Sequence, residues 1–238
     1  MLQQRKWRHL ASLGLLLALV FVLNLLSQTG FFRIDLTEEG RYSLSDSTVA
    51  MLESMEEPAI VTVYLEGDFP ANFKRLRNAT QELLDEFRSY GGSNLQYRFV
   101  DPFAGKNKEE QAQMYQELIE KGLKPFTVAF TEQGGSQQKM IFPEAIIAYR
   151  GRETRVPLLQ NQQGRDPEVA LNQSIEQLEF AFASGLYKLH TYESRPKVAL
   201  SFGHGELPQG LMADFLETLK DYYVVEAVEI KNDLEILT

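Results

Sequence analysis

The residue types best suited to chemistry sit together in one run, Gly203, His204, Gly205 and Glu206, between a short apolar stretch (KVALSF, 197–202) and a helix-forming one. Such residues can serve several ends. A G-x-G turn lets backbone N–H groups approach a pyrophosphate, but the dinucleotide fingerprint needs a glycine at its sixth position. Here that position falls in Leu207-Pro208, and Gly210 lies beyond it. A hydrolytic or metal site would use His204 and Glu206. The only other histidines are His9, ahead of an apolar segment, and His190, on a separate helix. Two side chains make neither a zinc site nor a triad. The glycines also suit a tight strand-to-helix turn that needs them for backbone geometry alone. We keep Gly203, His204, Gly205 and Glu206 as the candidate ligand or partner loop and assign no catalytic, cofactor-binding or metal-ligating residue.

Other chemistry is excluded more firmly. The chain has no cysteine, so it has no disulfide, thiolate metal site or thiol nucleophile. It lacks the P-loop, the G-x-S-x-G elbow and the H-E-x-x-H pair. Asp101-Pro102 offers an acid at a strand end, where an aspartate commonly caps a turn. Lys74, Arg75 and Arg77 could meet anionic lipid or simply form a solvated helix face. The net charge of -9 and a pI near 5.0 argue against nucleic-acid binding, which requires cationic surface.

The elements that would carry these residues alternate regularly. Ala59–Leu65 (AIVTVYL) reads as a strand, and residues 72–90 place Phe73, Leu76, Leu83, Leu84 and Phe87 at helical spacing. Leu95–Val100 is a second strand. A helix over 107–121 is expected to turn Ala112, Tyr115, Leu118 and Ile119 inward. Phe126–Phe130 is predicted as the third strand, entered through Lys124-Pro125. Strands follow at Gln138–Phe142, Ala145–Tyr149 and Glu153–Leu158. Asp166-Pro167 opens one long helix whose apolar stripe runs from Leu171 to Leu189. This β-α-β-α-β-β-α order looks like the thioredoxin arrangement, in which the proline before the third strand is commonly cis, so Pro125 is the candidate cis residue. The redox chemistry of that fold needs a thiol near the first helix, where this chain reads EGDFPANF. After a polar hinge (YESRPK, 192–197), Lys197–Phe202, a helix over 209–221 and Tyr223–Ile230 form a βαβ unit. Such a unit cannot bury both faces of a parallel sheet by itself. The chain is therefore expected to be a fragment, with a Rossmann- or flavodoxin-like domain continuing beyond it.

Charge is unevenly spread. Residues 1–34 contain Arg5, Lys6, Arg8 and Arg33 and no acid, whereas the remainder holds 20 basic and 33 acidic groups. Leu10–Leu26 is uncharged, and extension to Phe32 gives a helix of roughly 35 Å at ~1.5 Å per residue, enough for a bilayer core of about 30 Å. Trp7 and Phe31-Phe32 sit where aromatic rings favour the headgroups. The basic start predicts a cytoplasmic N-terminus and an extracytoplasmic body. A cleaved signal peptide is the alternative, but the apolar run is long for one and lacks a small-residue cleavage site.

The run RIDLTEEGRYSLSDSTVAML, following an N-terminal apolar helix, resembles the GldG family, and so do VTVYLEGDFPANFKRLRNATQELLDEF and VALSFGHGEL. That family comprises extracytoplasmic auxiliary subunits of a gliding-motility-associated ABC transporter. The resemblance implies a permease partner, a separate cytoplasmic ATPase, an inner-membrane location with a periplasmic body, and no established catalytic residues. A homo-oligomer is compatible with it.

The expected organisation is an α/β protein in four parts. Residues 1–32 form the cytoplasmic start and transmembrane helix, with the membrane met through residues 10–32. Residues 33–58 form a juxtamembrane segment and short helix, 59–191 a thioredoxin-like domain without redox cysteines, and 192–238 an incomplete second domain. The competing functions are an extracytoplasmic ligand-binding or hydrolytic protein using the Gly203–Glu206 loop, and a structural envelope protein with no transporter link.

Overall fold

The computed structural model describes residues 14–16, 18–19, 21–22, 44–132, 135–160, 166–202 and 209–229. The chain divides into two units, Met1–Ser45 and Asp46–Thr238. In the first unit the described residues between 14 and 22 are helical, and Leu15, Leu16, Leu19, Phe21 and Val22 are exposed. Most of the expected membrane segment, and the stretch Arg33–Tyr42, lie outside the described residues. No helix among the described residues is long and apolar enough to cross a membrane.

The second unit is mixed α/β. It opens with helix α1 (Asp46–Glu53), followed by β1 (Ala59–Val63), α2 (Ala71–Gly91), β2 (Leu95–Phe99) and α3 (Lys108–Glu120). Next come β3 (Phe126–Glu132), β4 (Gly135–Ile141), β5 (Glu144–Tyr149) and β6 (Arg152–Pro157). Helices α4 (Pro167–Glu176) and α5 (Leu178–His190) lead to β7 (Lys197–Phe202), α6 (Ala213–Tyr222) and β8 (Val224–Glu229).

The principal sheet has the order β2-β1-β5-β6. β1 and β2 are parallel, whereas β5 is antiparallel to both β1 and β6. Because side chains alternate along a strand, Val61 shares one face with its partner Ile147. Helices α2, α4 and α5 cover that face through Phe73, Leu76, Leu84 and Phe87 of α2, Leu171 of α4, and Phe182, Leu186 and Leu189 of α5, all buried. The other face carries a smaller core in which Leu118 of α3 meets Leu123, Phe142 and Ile146. Helix α3 starts at a capping box, with Asn107 accepting from the Glu110 N–H while the Glu110 carboxylate accepts from the Asn107 N–H.

Four expectations are corrected. Phe126–Phe130 does not join the principal sheet. It belongs to β3, which pairs only with β4, from Phe126↔Ile141 to Glu132↔Gly135, in a separate two-stranded sheet. The third strand of the principal sheet is β5, entered through Phe142-Pro143. No peptide bond among the described residues is cis, so Pro125 is trans. The long helix after Asp166 is two helices that part at Gln177, where φ is -95° and ψ 0°. In α3 Leu118 is buried and Tyr115 half-buried against the same core, joined by Met114 where the expected stripe had Ala112 and Ile119, both of which are exposed.

The turn between β5 and β6 is Arg150-Gly151, with φ of 49° and 72°. Positive φ at both central residues is the geometry of a two-residue hairpin whose twist matches its strands. Arginine has no intrinsic liking for it, and Arg150 is held by Glu56 and Glu57 at 3.1 and 2.9 Å. β7 and β8 form a third, parallel sheet with α6 as the crossover, and no residue of β7 or α6 is buried.

Candidate functional site

Parallel strands β1 and β2 end side by side, and the loops that follow them meet the β3–β4 hairpin. The carboxyl ends of such strands are where α/β sheets place ligands. A pocket of about 590 Å³ opens there, lined by Asp101 and Phe103 after β2, Gln111, Ala112 and Tyr115 on α3, and Gln138, Lys139 and Met140 on β4. Its aromatic wall rests on buried Phe142, whose ring centroid lies 6.1 Å from Phe103 and 5.9 Å from Tyr115.

Gly67 is the pivot of this site. Its φ is +127°, and a Cβ there would come within 2.9 Å of Asp101 Oδ2 and 3.5 Å of Lys139 Nζ. The backbone conformation favours glycine, and any side chain would also displace the Asp101 carboxylate. Asp101 Oδ1 accepts from the Phe103 N–H at 2.9 Å, the turn-capping role anticipated for it, while Oδ2 faces Gly67. Lys139 donates to the Asp68 carbonyl at 3.0 Å and lies 5.2 Å from the centroid of Phe69. It thereby ties the hairpin to the loop after β1. Lys74 pairs with Asp68 at 2.9 Å and, with help from Lys139, holds the Asp68 carboxyl below its ordinary range.

The basic cluster is spent on internal contacts. Arg75 donates to Asn172, and Arg77 pairs with Glu66 at 2.8 Å and stacks 4.5 Å over Phe99. The Gly203, His204, Gly205 and Glu206 loop lies outside the described residues. His190 is on α5 with its Nε2 3.4 Å from Ser54 Oγ. Since Ser54 gives its hydroxyl proton to the Met51 carbonyl at 2.7 Å, the imidazole Nε2–H is the donor to Ser54. Among the described residues no group of three His, Asp or Glu side chains could hold a metal ion. Sequence reasoning singled out Asp101 but missed Gln138, Lys139 and Met140. Their part in the site follows from the placement of the hairpin, which their types do not signal.

Glu144, at the start of β5 two residues beyond Phe142, is a second notable carboxylate. It is buried, with Arg155 Nη1 3.5 Å from Oε1 and no partner on Oε2. Burial pushes its pKa up, against the pull of Arg155. The folded protein therefore holds this proton more tightly than the unfolded chain does. That contribution to stability is whole in acid and is lost as pH rises through the raised pKa. Glu144→Gln should then denature at a higher urea concentration than the parent near about pH 7.5 and at a similar one near about pH 4. A parent advantage at the higher pH would contradict this account.

A family model described as a domain of unknown function (DUF7088) matches residues 38–148, which end within β5 and take in every pocket residue. No curated protein and no solved structure matches the chain.

Proposed function

We propose that this chain is a membrane-anchored, extracytoplasmic auxiliary subunit of a gliding-motility-associated ABC transporter, of the GldG kind. It acts by contact with a permease and a separate ATPase. The observation that carries the reading is the pocket at the ends of β1 and β2. Its lining alternates aromatic and methionine surface with two amides, one carboxylate and one ammonium. That mixture suits an extended segment of a partner protein, whose side chains need apolar contact and whose backbone needs donors and acceptors. The strand order β2-β1-β5-β6 supports a thioredoxin-like domain with a hairpin added before its third strand, and a chain without cysteine cannot exchange disulfides. The parallel β7–β8 pair supports the start of a Rossmann- or flavodoxin-like module. The helical, exposed Leu15, Leu16, Leu19, Phe21 and Val22 support a bilayer anchor within residues 10–32.

Co-purification of the permease from native membranes tests the reading. The full chain should recover it, deletion of residues 1–42 should lower recovery, and so should Met140→Asp combined with Ala112→Arg, both at exposed pocket positions. Equal recovery by all three proteins would overturn the proposal.

A further inference from the structure

A second cleft, of about 240 Å³, opens where β6, the end of α5 and the β7–α6–β8 module meet. Its centre is Tyr192, in the hinge after α5. The guanidinium carbon of Arg152 lies 3.5 Å from the ring centroid and that of Arg195 3.8 Å. Two guanidinium groups so near one centroid must lie on opposite faces, because on one face they would coincide. Each arginine is thus in cation–π contact with the ring, which restrains its head group beside the cleft.

The remaining contacts show which donors are used. Arg195 gives Nε to the Tyr192 carbonyl at 3.1 Å and Nη1 to the Lys220 carbonyl at 2.6 Å. Lys188 is paired with Asp221 at 2.6 Å. Arg152 follows the positive-φ turn Arg150-Gly151, so its position is set by the hairpin. No carboxylate among the described residues lies within ion-pair distance of it. Glu153 also borders the cleft, on the same strand. A guanidinium held against an aromatic ring, with no carboxylate partner among the described residues, keeps its donors available to an added anion.

We infer that this cleft binds a phosphate group, with Arg152 as its principal bidentate donor and the Nη2 group of Arg195 and the Thr154 hydroxyl beside it. A phosphate presents three acceptor oxygens and can be shared by donors on either side of the Tyr192 ring edge, whereas a carboxylate presents two oxygens on one edge. Arg152 belongs to the principal sheet and Arg195 to the hinge. Occupancy therefore joins the two and restrains the hinge at residues 192–197. The inference does not depend on the transporter reading.

The group could come from free phosphate or from a lipid headgroup. The full chain in phosphatidylcholine nanodiscs, titrated calorimetrically with inorganic phosphate, should bind it. Arg152→Gln should weaken binding by about tenfold or more, some 1.4 kcal/mol. Arg152→Lys should recover part of the loss, since it restores charge without the fork. Amide exchange across 192–197 should slow on addition of phosphate in the parent and stay unchanged in Arg152→Gln. If the headgroup is the source, the same slowing appears without added phosphate in phosphatidylglycerol discs and again requires Arg152. Arg152 is exposed, and an unchanged unfolding midpoint for Arg152→Gln would show that its fold is intact. Equal phosphate binding by parent and variant, or exchange at 192–197 indifferent to phosphate in both lipids, would overturn the assignment.

Discussion

Phe182→Ala should remove about 3–5 kcal/mol, the usual cost of deleting a fully buried aromatic ring. Phe182 is 0% exposed at the middle of α5 and meets Phe87 of α2 edge-on, with centroids 6.5 Å apart. Both helices lie on the same side of the sheet. The ring therefore fills space bounded by two helices and the strands, and neither helix can sink into the void without breaking its other contacts. An edge-to-face pair adds about 0.5–1.5 kcal/mol beyond area burial, and that is lost too. Against a total of roughly 5–15 kcal/mol for a domain, the variant should show a sharply lowered urea midpoint. A loss under about 1 kcal/mol would mean that α5 does not pack on α2 as described. The disturbance should also reach the second cleft, because α5 carries Lys188 and Leu189 in its lining.

Gly185→Val should be comparably damaging for the opposite reason. A Cβ at Gly185 would lie 2.9 Å from Val156 Cγ2, 3.1 Å from Ile147 Cδ1 and 3.5 Å from Thr154 Cγ2. These belong to β6 and β5, whose register is fixed by six residue pairs, and β-branched side chains have few alternative rotamers. The helix must lift away from the sheet. Alanine should cost about 1–3 kcal/mol by overpacking, and valine more, because its γ-carbons have nowhere to go. For a unit of this size the alanine variant should melt lower by roughly 2–4 °C per kcal/mol. A melting temperature equal to the parent's for both variants would show that α5 can ride higher without penalty.

Local elements were largely legible because they rest on local physics. Ala59–Val63 is β-branched and bounded by Pro58, and α2 carries its buried residues at helical spacing. The membership of each strand was not legible. AIVTV and FTVAF look alike, yet one is central in the principal sheet and the other pairs only with its hairpin mate. Both Pro125 and Pro143 precede strands, and nothing near either states which strand reaches β1. The break at Gln177 was hidden because the apolar stripe from Leu171 to Leu189 runs through it unbroken and glutamine is an ordinary helix former. The pocket after β1 and β2 joins residues 101–103, 111–115 and 138–140. Such a site exists only once the chain is folded, so Asp101 alone left a trace. The phosphate cleft is similar: Arg152, Lys188 and Arg195 are scattered cations until the turn and hinge assemble them.

The pairing of Phe126 with Ile141 has an evolutionary consequence. The two ends of the β3–β4 excursion leave and rejoin the domain about 5 Å apart. The outer part of the excursion can therefore drift in length and sequence, while Val128 and Ile141, buried nearer its base, keep it seated on the frame. Kindred chains should differ most in this appendage and least in β1, β2 and β5, so that what each one recognises can diversify without refounding the architecture.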